Sequence, residues 1–311
     1  MNVGVVILNW KGWRDTLICL ASLLQSTQVR LRVVVIDNGS QDESVAQIQK
    51  WLRLSGPEHP NVQIELHPLD QNFGFAEGCN RGLQILRASQ DCDFYLLLNN
   101  DTTLEPGTLS EMIRVSHLAQ ADLIGAHVLT EDRAHTLYQG RSWPGHLFGR
   151  GAMVQDPQAE IWPTDQVDGS CLMMTASFLE ERWRASGYAL DPELFLYCED
   201  SDLAIFGKHH GFKAVVAARA LVYHGLSKSS GGAGNPRSFY YISRNRIYLA
   251  NRWLNAPMRV LFHLYYILSR SALVILYRLK GRRSVSRAIY QGVIDGYSGV
   301  RGPLLEVLSE E

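Results

Sequence analysis

The chain has 311 residues, 46% apolar and 20% charged, which suits a globular α/β protein with a sizeable core. A formal net charge of −1 excludes the strongly basic footprint of a protein built to hold nucleic acid. The cysteines Cys19, Cys79, Cys92, Cys171 and Cys198 are odd in number and lack CxxC spacing, so they fit reduced thiols in the cytoplasm better than a zinc site or a disulfide frame.

The short β-branched runs 3–8 and 31–36 predict strands, and the helical spacing of apolar residues over 16–24 predicts a helix between them. The first strand begins without a basic n-region or cleavage site, so no secretory signal is expected. A second helix is expected over 40–54, burying Val45, Ile48, Trp51 and Leu52, then a strand over 62–66 and a helix over 78–88. Residues 94–98 are apolar throughout, as in a strand covered on both faces. Glu105-Pro106 is read as opening another helix, followed by a strand over 123–129. The expected fold is α/β, a mostly parallel, doubly wound sheet with flanking helices.

Residues 138–163 mix Gly and Pro with Trp143, Phe148 and Trp162, the composition of an ordered functional loop such as a lid or acceptor rim. Later strands are expected over 169–175 and 214–217, and 227–234 reads as a flexible Ser/Gly segment. The stretch 260–279 is the most hydrophobic, yet Arg270 near its middle argues against a lone transmembrane helix. With the basic flank through Arg287 it reads either as a helix lying against an anionic membrane surface or as a core or dimer-forming helix.

Three acidic stops follow apolar runs: Asp37-Asn38-Gly39-Ser40, Asn99-Asn100-Asp101 and Glu199-Asp200-Ser201-Asp202. Strand ends of open α/β sheets carry ligand crevices, so one site built from distant segments is expected. Asp37 suits a ribose or imide contact, and equally a turn or helix cap. Asn72-Phe73-Gly74-Phe75-Ala76 places small residues before a helix, where backbone amides approach phosphate. Asp101 suffices for a nucleotide-bound Mg2+ and equally for a cap of the helix near Glu105; His224 is either a structural histidine or a second ligand, which would shift the preference toward Mn2+. Asp200 is placed to deprotonate an acceptor hydroxyl, while Asp202 is read as a helix cap.

Val6-Ile7-Leu8-Asn9-Trp10, Asp37 to Ser40, Asn72 to Ala76, Leu98 to Thr102, Val167-Asp168-Gly169-Ser170, Glu199 to Leu203 and Arg244-Asn245 occur in the order found in bacterial family-2 glycosyltransferases. The chain resembles their rhamnosyltransferase-like branch over about residues 3–250. The resemblance implies a GT-A fold over 1–255, with a nucleotide-sugar half to about 130 and an acceptor half beyond it, and a basic helical extension over 256–311. It implies inverting transfer from a nucleotide-diphosphate sugar, dTDP-rhamnose being the candidate of this branch, to a lipid-linked or polysaccharide acceptor of the cell envelope. The matched positions make Asn9, Asp37, Asn38, Asn72, Gly74, Asn100, Asp101, Arg244 and Asn245 donor contacts, and Asp101 with His224 the holders of a divalent metal, Mg2+ or Mn2+. Asp200 matches the catalytic base, with Glu199, Asp168 and Gly169 toward the acceptor. The implied location is cytoplasmic, peripheral on the inner face of the cell membrane.

Lys11, Glu77, Asn99, Asn100 and Phe206 depart from the family pattern, Phe206 standing where an Arg is often found. Two alternatives stay open. A sugar nucleotidyltransferase shares the sheet and the metal but calls for a Gly-rich activating loop near the N-terminus. A noncatalytic saccharide-binding protein of the same fold would have lost Asp101 or Asp200, and both are present.

Overall fold

The computed structural model describes residues 1–304 apart from 27–28, 56–58, 60, 144, 149–150, 152, 154 and 226–233. The Ser/Gly segment 227–234 therefore lies, except for Gly234, outside the described residues. The first half alternates strand and helix: β1 (Asn2–Asn9), α1 (Trp13–Leu23), β2 (Arg30–Asp37), α2 (Ser44–Ser55), β3 (Val62–Pro68), α3 (Gly74–Ala88) and β4 (Phe94–Asn99). A short β5 (Thr102–Leu104) leads to α4 (Thr108–Ala119) and β6 (Leu123–Thr130), then to β7 (Thr136–Tyr138), α5 (Gly145–Phe148) and β8 (Ile161–Pro163). The chain continues through β9 (Cys171–Thr175), α6 (Ala176–Ser186), α7 (Glu199–His209), β10 (Ala214–His224), α8 (Pro236–Trp253), α9 (Ala256–Leu279) and α10 (Arg283–Tyr297).

These strands form one sheet in the order β3-β2-β1-β4-β9-β6-β10-β5, with β7 added beside β6 and β8 beside β10. β3, β2, β1 and β4 are parallel neighbours, and β6 and β10 run the same way; β9 enters antiparallel between β4 and β6. The reversal of β9 matters for the site. Its first residues lie at the edge where the parallel strands end, so Cys171 stands opposite Leu98 and Asn99 donates its N–H to Ser170 O at 3.0 Å.

Both faces of the sheet are covered, as the unbroken apolar strands require. Val3, Val5 and Ile7 of β1 join a core with α1, α2 and α4, while Val6 faces a second core with α3, α6 and α7. α3 comes close to β1 because Gly78 and Gly82 face it: a Cβ at either would sit 2.5 Å from Leu8 Cδ1 or 2.6 Å from Val6 Cγ1.

Several helix starts differ from expectation, and hydrogen bonds account for three of them, two local and one long-range. α2 begins at Ser44 because Ser40 is drawn back to Asp37, its Oγ 2.6 Å from Oδ2, and Asp42 takes the Ser44 N–H. α4 begins at Thr108, leaving Pro106 in the preceding turn, where Glu105 O accepts the Thr108 N–H. α3 begins at Gly74, a full turn early. Its first amides find a distant acceptor, Phe195 O, which takes the N–H groups of Phe75 and Ala76 at 2.7 and 3.4 Å. The backbone amides expected to cradle phosphate are therefore engaged within the protein.

Asp202 is not a helix cap either. It lies in the first turn of α7, fully buried, and forms an ion pair with the equally buried Arg182 at 2.5 Å. Phe206 packs beneath that guanidinium, 4.7 Å from ring centroid to Arg182 Cζ.

Candidate active site

The ends of β1, β2 and β4 are in register, with Asn9 opposite Asp37 and Leu8 opposite Asn99. Asn9 and Asp37 do not reach open space. Asn9 Nδ2 donates to Asp37 Oδ2 at 2.6 Å, and the Ser40 N–H and hydroxyl bind the same carboxylate, leaving both residues buried under the rim. Asn38 is placed to bridge: its Nδ2 donates to Asn72 Oδ1 and Gly74 O at 3.0 Å each, and its Oδ1 accepts the Phe73 N–H. Gly74 is required there by its φ of +84° and by the 2.5 Å that would separate a Cβ from Phe195 O. Asn100 Nδ2 ties the next strand end to Thr16 Oγ1 at 3.0 Å.

A cavity of about 450 Å3 opens along this edge. Of the expected site residues, Asn38, Asn72, Gly74, Asn100, Asp101, Asp168, Gly169, Glu199, Asp200 and His224 line it; Asn9, Asp37, Arg244 and Asn245 do not. Asp101 follows β4, and His224 ends β10 opposite Thr102, which brings His224 Nε2 to 3.1 Å from Asp101 Oδ1. Burial disfavours the charged imidazole, but the hydrogen bond and charge of Asp101 outweigh it, so the His224 pKa is raised.

This pair fits a divalent metal. Ligand atoms at about 2.1 Å on adjacent octahedral positions lie about 3.0 Å apart, close to the separation seen here. Among the described residues no cluster of three or more His, Cys, Asp or Glu could hold a metal by itself. One carboxylate and one imidazole suit an ion whose other ligands come from a diphosphate and water.

Glu199 and Asp200 open α7 at the far end of the loop Phe195–Cys198 and face the same cavity. Burial and the neighbouring Asp168 raise the Asp200 pKa, although Arg141 and a 2.9 Å hydrogen bond from Gln166 Nε2 favour its carboxylate. Burial, reinforced by Asp200, pushes Glu199 up to about 8, and among the described residues its buried Oε2 has no hydrogen-bond partner. Burial also opposes ionisation of Asp168, but the Arg141 guanidinium, with Nη2 3.4 Å from Oδ2, and the Ser170 amide hold it below the usual carboxylate range. Three neighbouring acids thus have distinct tendencies: Asp168 ionised, Asp200 a strengthened base, Glu199 a proton carrier near neutrality.

Arg244 and Asn245 correct the sequence reading. Both are fully buried in α8 and turned toward the loop before α7: Arg244 reaches Leu194 O and Gly302 O, and Asn245 reaches Leu194, Leu196 and Tyr197 carbonyls. Among the described residues the cations at the cavity are Arg246 and Arg237, the latter 5.7 Å over the Trp10 ring, together with Arg141. At about 100° per residue, Arg244 and Arg246 point to nearly opposite sides of a helix, so spacing shows that only one can face the site. Spacing does not show which. Gln166 carries no signal of its own in the sequence, and Trp10 only that of the motif it closes.

The sequence model of glycosyl transferase family 2 matches residues 4–183. No curated protein sequence matches the chain. Among solved structures it is similar to a mannosyltransferase, PcManGT from Pyrobaculum calidifontis, in complex with GDP-Man and Mn2+. The TM-score is 0.59 at 14% identity, over 95% of this chain and 86% of that one. It is also similar to residues 1–349 of S. aureus TarS in complex with UDP-GlcNAc, with TM-score 0.57, 12% identity, and coverage of 96% and 89%. The family match spans more than half of the chain, and the fold is GT-A; the protein belongs to glycosyl transferase family 2 and is a glycosyltransferase.

Proposed function

We propose that the protein is an inverting glycosyltransferase of the rhamnosyltransferase-like branch, moving a sugar from a nucleotide-diphosphate donor to a lipid-linked or polysaccharide acceptor at the cytoplasmic face of the cell membrane. The observation that carries the reading is one cavity bordered by both the Asp101–His224 pair and Asp200. A divalent metal held by Asp101 and His224 would stabilise the charge that develops on the leaving diphosphate.

Asp200 accepts the proton of the acceptor hydroxyl as its oxygen bonds to the anomeric carbon, while the bond from that carbon to the diphosphate oxygen breaks. Attack from the face opposite the leaving group inverts the anomeric configuration. Gln166 holds one Asp200 oxygen at 2.9 Å and the Ser201 N–H holds the other at 2.7 Å, fixing the carboxylate's orientation. Arg237 and Arg246 supply fixed positive charge to an anionic donor. Glu199, protonated at neutral pH, donates a hydrogen bond to the acceptor from its buried position.

The test is a calorimetric donor screen with Mn2+ or Mg2+ across dTDP-rhamnose, UDP-glucose, UDP-galactose, UDP-N-acetylglucosamine and GDP-mannose, followed by determination of the product's anomeric configuration. Metal-dependent binding of dTDP-rhamnose and a product of opposite configuration is the expected result. Preference for another donor would remove the rhamnosyl assignment, and a product of retained configuration would overturn the single displacement.

A further inference from the structure

Helix α9 is apolar on its outside. Leu261, Leu264, Leu268, Ile275 and Leu279 lie on one side of it, and all are more than half exposed, Leu268 at 73% and Leu279 at 81%. Among the described residues this helix alone is long and apolar enough to cross a membrane, yet Phe262 and Tyr266 on its other side are fully buried against the protein. The residues that speak against lipid contact are turned inward. Arg270 Cζ lies 4.9 Å from the Tyr266 ring centroid, and the His263 ring nitrogens are 2.9 Å from Asn251 Oδ1 and 3.0 Å from Tyr297 Oη.

We infer that the outer face of α9 docks on an anionic lipid bilayer, the helix lying along the surface with its apolar side in the acyl boundary. Two observations select this occupant over a second copy of the chain. Val260 and Ile267 at one margin and Tyr265 and Leu276 at the other are also exposed, so the apolar arc spans about half the circumference, wider than the a/d seam of a paired helix. The segment 256–287 contains, besides the inward-turned Arg270, six Lys and Arg and no Asp or Glu, so a copy of the same segment offers no charge complement, whereas an acidic lipid surface does.

The face also bears on the acceptor, a step that rests on the glycosyltransfer reading above. α8 stands between α9 and the cavity: the Tyr266 hydroxyl donates to Ser243 O at 3.1 Å, and the adjoining Ile242 lines the cavity with Arg246. Docking of α9 therefore holds this wall of the cavity one helix from the bilayer, which favours an acceptor anchored in lipid over a free polysaccharide.

The experiment is flotation of the full chain with vesicles of phosphatidylcholine alone and of phosphatidylcholine mixed with phosphatidylglycerol, beside the double variant Leu264→Glu/Leu268→Glu. Light scattering gives the oligomeric state, and a thermal melt shows that the variant is folded. The expected result is flotation with the mixed vesicles, weaker with phosphatidylcholine alone, and about tenfold or greater loss in the folded double variant. Wild type that stays unbound to both vesicles overturns docking, as does a wild-type dimer that the substitutions dissociate. Transfer to a vesicle-held acceptor is expected to fall about tenfold in the variant while transfer to a water-soluble analogue is unchanged, in proportion to the lost binding. Equal activity of wild type and variant on both acceptors overturns the lipid-acceptor step, and a wild type that floats yet transfers no sugar from any donor of the screen overturns the proposed donor and acceptor while docking stands.

Discussion

Asn245 donates its side-chain amide to Tyr197 O at 2.8 Å, across 48 residues of chain. The same amide lies 2.9 Å from Leu196 O and 3.0 Å from Leu194 O, so it gathers three carbonyls of a loop whose backbone is turned the unfavourable way. Phe195, Tyr197 and Cys198 have positive φ of 62°, 65° and 73°, a backbone region that costs non-glycine residues about 1 kcal/mol or more each. Cys198 directly precedes Glu199-Asp200. The clamp holds the strained loop and thereby sets the direction of the Glu199–Asp200 end of α7.

Asn245→Ala is accordingly expected to destabilise the fold by about 2 kcal/mol through unpaired buried carbonyls. It should lower kcat more than donor affinity. Urea melts and donor calorimetry check this; intact stability with a large loss of donor affinity would restore Asn245 as a direct donor contact.

Arg246→Ala should behave in the opposite way. Its side chain faces the cavity and is only half-buried, so stability should change little while the donor binds about tenfold more weakly. Titration of a nucleoside diphosphate in place of the full donor separates loss of a phosphate contact from loss of a sugar contact.

The contrast between Arg244 and Arg246 also marks what the sequence discloses. Strands and helices of the first half were legible because apolar runs and helical spacing report burial, which is a local property of each segment. Asp101, Asp200 and His224 were legible because each ends or follows an apolar run at the same sheet edge. Which carboxylate is consumed inside the protein is decided by partners distant in sequence: Asp37 is closed off by Asn9 and Ser40, and Asp202 by Arg182. The early start of α3 was hidden for the same reason, since its capping acceptor is the carbonyl of Phe195 rather than a neighbouring side chain.

His224→Ala should leave a one-carboxylate metal site. The donor-dependent affinity for Mn2+ should fall about tenfold or more, with a smaller effect for Mg2+, because imidazole contributes more to the softer ion. Metal titration in the presence of a nucleoside diphosphate reads this directly. Equal affinity in wild type and variant for both ions would remove His224 from the ligand set.

Glu199 imposes a pH dependence on stability. Its pKa is raised from 4.5 to about 8 by burial and by Asp200, so between those values the folded protein holds a proton that the unfolded chain has released. Stability contributed by this group is therefore complete below the lower value and lost as pH rises through the window. Glu199→Gln, which cannot ionise, should be more stable than wild type at alkaline pH, by about 5 kcal/mol at most if the whole shift is expressed, and nearly equal to it in acid. Thermal melts at about pH 5 and about pH 9 measure the difference, and a gain that is the same at both would exclude ionisation of Glu199 as its source.

On the proposed mechanism Asp200 sets the acid limb of the rate profile. Burial and Asp168 raise its pKa, so the base is lost to protonation at a higher pH than an ordinary aspartate would be, and kcat/KM should climb with pH through that raised value. Asp200→Asn should cut transfer by about 10^3-fold while donor affinity is kept, since the carboxylate is needed only once the acceptor attacks. Asp168→Asn gives the sharper test. Removing the like charge lowers the Asp200 pKa, and Arg141, released from its 3.4 Å contact with Asp168, adds to that shift. The acid limb should therefore move to lower pH in Asp168→Asn, and a limb that stays in place would mean that another group titrates there.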